Sequence, residues 1–189
     1  MTTKEYQNEL TESLTEYFDN LEVKSEWAAF KRGRLQYSPR VDIAIGPFNV
    51  EGQNIARQYD RLVRARKVRS FISLFYEMHI QNIRKHFGQE PRIPSLVQVL
   101  RKNWNARCLL AIEIENENSR KHIMGSLLNA ASLGRVGIGI AFNEASFNSF
   151  KMIWSYQGFL RHVGKNAYDT TNFLIVTKEQ ADEILESIT

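Results

Sequence analysis

The sequence predicts an α/β sandwich, and three observations lead there. From residue 109 onward, strand-length apolar runs alternate with helix-length periodic stretches in the order strand, helix, strand, helix, strand, helix. The run around Leu109-Leu110-Ala111-Ile112 is apolar on both faces, as a central parallel strand covered by helices must be. Alternation of this kind joins parallel strands by right-handed crossovers. Ahead of it stand a one-faced amphipathic helix and a short alternating strand around Asp42.

The elements follow in order. Residues 4–20 form a helix, with Tyr6, Leu10, Leu14, Tyr17 and Leu21 spaced for one buried face and Glu5, Glu9, Glu12 and Glu16 on another. Residues 34–37 and 41–46 read as a strand pair or one bent strand; Val41-Asp42-Ile43-Ala44-Ile45 alternates, and Gly46-Pro47 ends it. Residues 54–86 make one long basic helix or two shorter ones. Pro91 and Pro94 interrupt, and Ser95 caps a helix running to about Trp104. After the strand from Leu109, Asn118 or Ser119 caps a helix ending near Leu133, with Gly134 at its stop. Val136 to Phe142 is a glycine-bearing strand, 144–162 a helix, and Asn172 to Val176 a last strand before a helix from Lys178.

With 189 residues, one well-buried core and one domain are expected. Hydrophobic residues at 43% and charged residues at 24% place the chain among ordinary globular proteins, and no run approaches the roughly 18 apolar residues of a membrane span. The start, Met1-Thr2-Thr3-Lys4-Glu5, carries no apolar signal segment. Cys108, the single cysteine, cannot close an internal disulfide and reads as a small buried hydrophobe. A cytoplasmic location is the expectation.

The net charge of +4 conceals an uneven distribution. Between Arg57 and Arg107 stand twelve Lys/Arg against Asp60, Glu77 and Glu90, about +9 for that block and near −5 for the remainder. Such polarity fits one surface that meets a polyanion and another that holds a cation. Arg57, Arg61 and Arg64 fall on one helical stripe, with Lys67 following, and can reach phosphates, where most protein–DNA contacts go. A solvated basic helix face is the plainer alternative. Tyr59, Phe71, Phe75 and Tyr76 at helical spacing fit core better than base stacking.

The chemistry is concentrated in Glu113-Ile114-Glu115. Successive strand residues face opposite ways, so the two glutamates share a face. Neighbouring carboxylates repel, and burying an unpaired charge costs several kcal/mol. Joined by Asp42 from the earlier strand, they make a hard-oxygen set suited to magnesium. An edge strand with one solvated acidic face is the alternative. The histidines show no zinc-binding spacing, and no phosphate-binding glycine loop, nucleophile elbow or dinucleotide fingerprint occurs.

Pro39-Arg40-Val41-Asp42 and Glu113-Ile114-Glu115-Asn116, with the helix Ser119-Arg120-Lys121-His122-Ile123-Met124-Gly125 and the strand Val136-Gly137-Ile138-Gly139-Ile140, resemble the core of the PD-(D/E)XK, or restriction-endonuclease-like, nuclease superfamily. The likeness covers most of the chain and leaves about 50–95 as a basic, mainly helical insertion. Two residues separate Pro39 from Asp42, and Glu115 stands where the family usually has lysine, as in some of its members.

The resemblance implies a three-layer sandwich around a central mixed sheet and a metal-dependent phosphodiesterase, with DNA as substrate. It implies Mg2+, with Mn2+ as substitute, held by Asp42 and Glu113 with a backbone carbonyl near Ile114. Glu115 would accept a proton or bind a second metal, and Lys121 would supply the missing cation. A first-helix glutamate often completes such sites, and Glu9 is the choice among four. The insertion would clamp the DNA backbone or build a homodimer. A non-catalytic nucleic-acid-binding or assembly subunit on the same fold is the second reading, kept open by Glu115 at the lysine position. A glycosidase is disfavoured, because the two acids are too close on one strand.

Overall fold

The computed structural model describes residues 1–30, 38–50, 55–87, 93–165 and 169–188. Among them run α1 (Thr3–Tyr17), β1 (Val23–Ala28), β2 (Arg40–Ile45), α2 (Ala56–Leu62), α3 (Arg66–Phe87), α4 (Leu96–Lys102), β3 (Cys108–Glu115), α5 (Arg120–Leu133), β4 (Gly134–Ala141), α6 (Glu144–His162), β5 (Phe173–Thr177) and α7 (Lys178–Ile188). The five strands form one mixed sheet in the order β1-β2-β3-β4-β5. The pairs β1–β2 and β2–β3 are antiparallel; β3–β4 and β4–β5 are parallel. The α/β class and the parallel half from residue 109 are as expected.

Local chemistry sets where the helices begin. Capping boxes start α1 (Thr2 with Glu5), α4 (Ser95 with Gln98) and α6 (Asn143 with Ser146), each satisfying backbone N–H groups that the first turn leaves free. Strand alternation then sorts the core into two halves. Leu110, Ile112, Ile114, Val136, Ile138, Ile140, Leu174 and Val176 face α1, α3 and α7. Ala111, Ala141 and Phe173 lie on the opposite side, under α5 and α6. The β4 glycines bring that second layer close: a Cβ on Gly137 would lie 2.9 Å from the Ala130 carbonyl carbon, and one on Gly139 2.6 Å from the Phe173 ring.

The segment 34–37, like Pro91, lies outside the described residues. β1, whose Lys24-Ser25-Glu26 centre is too polar to read as a strand, was not expected. The long basic stretch divides at 63–65 into α2 and α3. Gly134 caps α5 in an extended conformation (φ −80°, ψ 143°) and opens β4 directly, so it serves close packing on Ala111 rather than a left-handed turn.

α3 is also more than an appended insertion. Its Val68, Phe71, Ile72 and Phe75 are core residues, worth about 1.5–3 kcal/mol each on burial. Its second half covers the free edge of β5. The Ile175 N–H donates to His79 Nδ1 at 3.0 Å, and Asn82 Nδ2 donates to the Ile175 carbonyl at 3.0 Å. A helix thus satisfies the sheet edge that would otherwise remain open for pairing. Burial lowers the His79 pKa to about 4, so the neutral ring is the acceptor. No helix among the described residues is long and apolar enough to cross a membrane.

Candidate active site

The β2–β3 register pairs Ile43 with Ile112 and Ala44 with Ala111, and one further step sets Asp42 across from Glu113. The ladder opens there. The Ile114 N–H donates to Asp42 Oδ2 at 2.7 Å, so a side chain replaces the next backbone acceptor. The β1–β2 ladder opens at the same place: Ser25 pairs with Ile43 and Trp27 with Val41, while Glu26 is passed over with φ +51°. A non-glycine residue in this left-handed region costs about 1–2 kcal/mol. The Asp42 carbonyl is satisfied instead by Gln7 Nε2 of α1 at 2.7 Å. Asp42 therefore sits where both flanking ladders have been diverted.

Glu113 and Glu115 project to the α5 side and are almost fully buried, 6% and 4% exposed. With half-buried Asp42 they line a cleft of about 320 Å³ whose walls include Arg40, His122, Ser126 and Asn129. Ser126 Oγ donates a short hydrogen bond to Glu115 Oε1, and His122 Nε2 lies 3.4 Å from the same oxygen. His122 and Ser126 are one turn apart on α5, so the helix presents both to the glutamate.

The electrostatics are those of like charges held together. Burial, then the charges of Asp42 and Glu115, push the Glu113 pKa well above the carboxylate range. Burial also raises Asp42, against the Ile114 N–H that favours its charged form. Glu115 is raised by burial, offset by Ser126 and His122. Glu26 differs: burial raises it, but Gln7, Arg40 and Lys4 together hold it below its usual value. Lys4 and Arg40 stand 3.4 and 3.2 Å from its carboxylate.

The structure thus gathers Asp42, Glu113 and Glu115 and leaves the other candidates elsewhere. Lys121 is exposed and lines a different groove, between α5 and α6. Its neighbour His122, with Arg40, lines the acidic cleft instead. Glu9 is exposed; the α1 side chain that reaches the site is buried Gln7. Arg57, Arg61 and Arg64 are exposed, but α2 ends at Leu62, so Arg64 falls in the following turn rather than on their stripe. Asp60 of α2 pairs with Arg135 at the start of β4. This segment therefore lies at the opposite end of the strands, about 13 Å along β4 from the Glu113 partner Gly139 at ~3.3 Å per residue. Lys67 pairs with Asp19 at 2.8 Å. Arg92 is outside the described residues.

Among the described residues, no group of three or more His, Cys, Asp or Glu side chains is arranged to hold a metal ion. The donor chemistry of the Asp42–Glu113 pair nevertheless fits a hard divalent cation. Both side chains line one cleft, and the repulsion that raises Glu113 is what a cation between them would offset. Sequence reasoning missed Gln7, Glu26 and Ser126. Of these only Ser126 left a signal, one helical turn beyond His122. No protein-family model matches the chain, and comparison with curated proteins and with solved structures finds no match.

Proposed function

We propose that the chain is a magnesium-dependent nuclease, acting on DNA, built on a restriction-endonuclease-like fold. The observation that carries this reading is the gathering of Asp42, Glu113 and Glu115 along one cleft, set where two strand ladders open. Structural acids in a protein interior are normally paired with cations, whereas carboxylates pushed together mark sites that await a ligand. The order β1-β2-β3 antiparallel, then α5 and a parallel β4, agrees with the proposed core.

In this mechanism Asp42 and Glu113 would hold the cation, with Mn2+ as a substitute. Such an ion would supply Lewis acidity toward a phosphate oxygen and a more acidic water. Glu115 takes the proton of the attacking water at Oε2, the oxygen that Ser126 and His122 do not engage. Ser126 fixes the rotamer of Glu115. Arg40 and His122, at the cleft wall, draw the phosphate in and offset the carboxylates. A buried free thiol at Cys108, pushed up by burial and unreactive, suits a reducing cytoplasm.

The test is cleavage of supercoiled plasmid with Mg2+ or Mn2+ by the wild type, Asp42→Asn and Glu113→Gln. Both substitutions are expected to lower the rate at least a hundredfold; unchanged rates in both would end the assignment. The second reading, a non-catalytic nucleic-acid-binding subunit, is favoured by Glu115 at the lysine position and by the Arg57–Arg64 surface far from the cleft. It predicts salt-dependent DNA binding without nicking in any metal.

A further inference from the structure

A cavity of about 590 Å³ lies between α3, α4 and α6, on the opposite face of α6 from the groove that Lys121 lines. Its apolar wall is Phe87, Ile93, Pro94 and Trp154. The Phe87 and Trp154 rings stack at 6.0 Å with planes 30° apart, and His79 meets Trp154 edge-on at 5.7 Å. His79 is held in turn by the Ile175 N–H, so the fold sets this wall in advance of any ligand. Tyr76 Oη donates to the Pro94 carbonyl at 2.9 Å, fixing the side that α4 supplies. There Gln98 Oε1 accepts from the Ser95 N–H at 2.8 Å, which leaves the Gln98 Nε2 group as the donor.

The polar side of the cavity is cationic. Arg161 lines it, and its Nη1 is buried with no hydrogen-bond partner. Asp169 Oδ1 lies 3.8 Å from that nitrogen and already accepts from the Thr171 N–H and hydroxyl; Lys102 holds Asp169 Oδ2 at 2.5 Å. Among the described residues that line the cavity there is no Asp or Glu. A buried guanidinium short of acceptors favours an anion. Gly158 borders the same space from within α6, where a glycine weakens the helix. Beyond its chain neighbours and helix backbone, a Cβ there would find only Arg161 Nη2 within 4 Å, at 3.7 Å. Packing therefore does not demand glycine at this position, and the missing side chain leaves room beside the guanidinium.

We propose that this cavity binds a small aromatic anion, a planar ring that carries one phosphate or carboxylate. The ring lies against Phe87 and Trp154, and the anionic group takes the Arg161 donors across Gly158, with Gln98 donating from the α4 side. The volume falls within the roughly 300–1,000 Å³ of small-molecule sites, whose lining is likewise an apolar wall with a few convergent polar groups. A purely apolar ligand would leave Nη1 unpaired, and a cation would meet Arg161 as a like charge. The cavity shares no lining residue with the acidic cleft, so the proposal does not depend on the nuclease reading.

Calorimetric titration of the full chain in EDTA tests it, with two probes that share this chemistry from different sources: adenosine 5′-monophosphate and indole-3-acetate. At least one is expected to bind at one site with Kd below about 100 µM, and which one does names the source of the anion. For a nucleotide, adenosine without its phosphate should bind at least about tenfold more weakly; for a carboxylate, the same loss is expected of 3-methylindole. Arg161→Gln should weaken the charged probe about tenfold or more and leave the neutral one unchanged. Gly158→Leu should abolish binding by filling the cavity, with an undiminished Tm because nothing packs at that position. Glu113→Gln should bind as the wild type does, since its lesion lies in the other cleft. Failure of both probes to bind at about 2 mM would overturn the proposal. So would wild-type affinity in both Arg161→Gln and Gly158→Leu, or loss of binding in Glu113→Gln.

Discussion

At the β5 edge, His79 and Asn82 give the Ile175 backbone one acceptor and one donor; at the β2–β3 end, Asp42, Glu113 and Glu115 meet as like charges. Both places bury polar groups against the same sheet. At the first, the Ile175 N–H and carbonyl each have a complementary side-chain partner, and the result is a closed edge. At the second, the ladders part, Glu26 takes a left-handed conformation, and burial among like charges pushes the Glu113 pKa up. The contrast separates polar residues that hold the fold from polar residues that the fold holds at a cost.

The contrast can be broken from the stable side first. His79→Ala removes the acceptor of the Ile175 N–H and leaves a cavity, so it should cost about 2–4 kcal/mol. At roughly 2–4 °C per kcal/mol for a domain of this size, Tm falls by about 4–16 °C. The pH dependence follows from the same residue. His79 has its folded pKa lowered to about 4 from 6.5. Its contribution is complete above pH 6.5 and is lost as pH falls toward 4, about 3 kcal/mol in all. Urea titrations across that range should show the loss in the wild type and a flatter acid limb in His79→Gln.

The carboxylates have the opposite sign. Glu113 has a raised folded pKa, so its contribution is complete below the ordinary carboxylate range and is lost as pH rises through the folded value. Glu113→Gln should therefore raise stability near pH 8 by about 1–3 kcal/mol while abolishing cleavage, with little gain at pH 4. Ser126→Ala sharpens the comparison further. It frees Glu115 from its short hydrogen bond and should lower cleavage about tenfold, with Tm moving by no more than about 2 °C. Glu9→Ala, on the exposed face of α1, should change neither quantity measurably.

Much of this was legible in the sequence. Glu113 and Glu115 share a face because strand period alone dictates it, and the helix read over 144–162 is α6. Asp42 came into range because the alternation around it set a strand whose register the hydrophobic faces then fixed. β1 stayed hidden because its polar centre, Lys24-Ser25-Glu26, breaks the apolar alternation. Gln7 stayed hidden because nothing local marks a helix glutamine as the partner of a distant carbonyl. Arg57, Arg61 and Lys121 show a different limit. Helical period tells which residues share a face, but not where the helix lands on the sheet.

The direct test of the central claim is calorimetric titration of Mn2+ into the wild type, Asp42→Asn and Glu113→Gln in two buffers of different ionisation enthalpy. The account predicts one site in the wild type, proton release on binding, and loss of both in each variant. Absence of binding to the wild type, or equal binding in all three with no proton released, would contradict it.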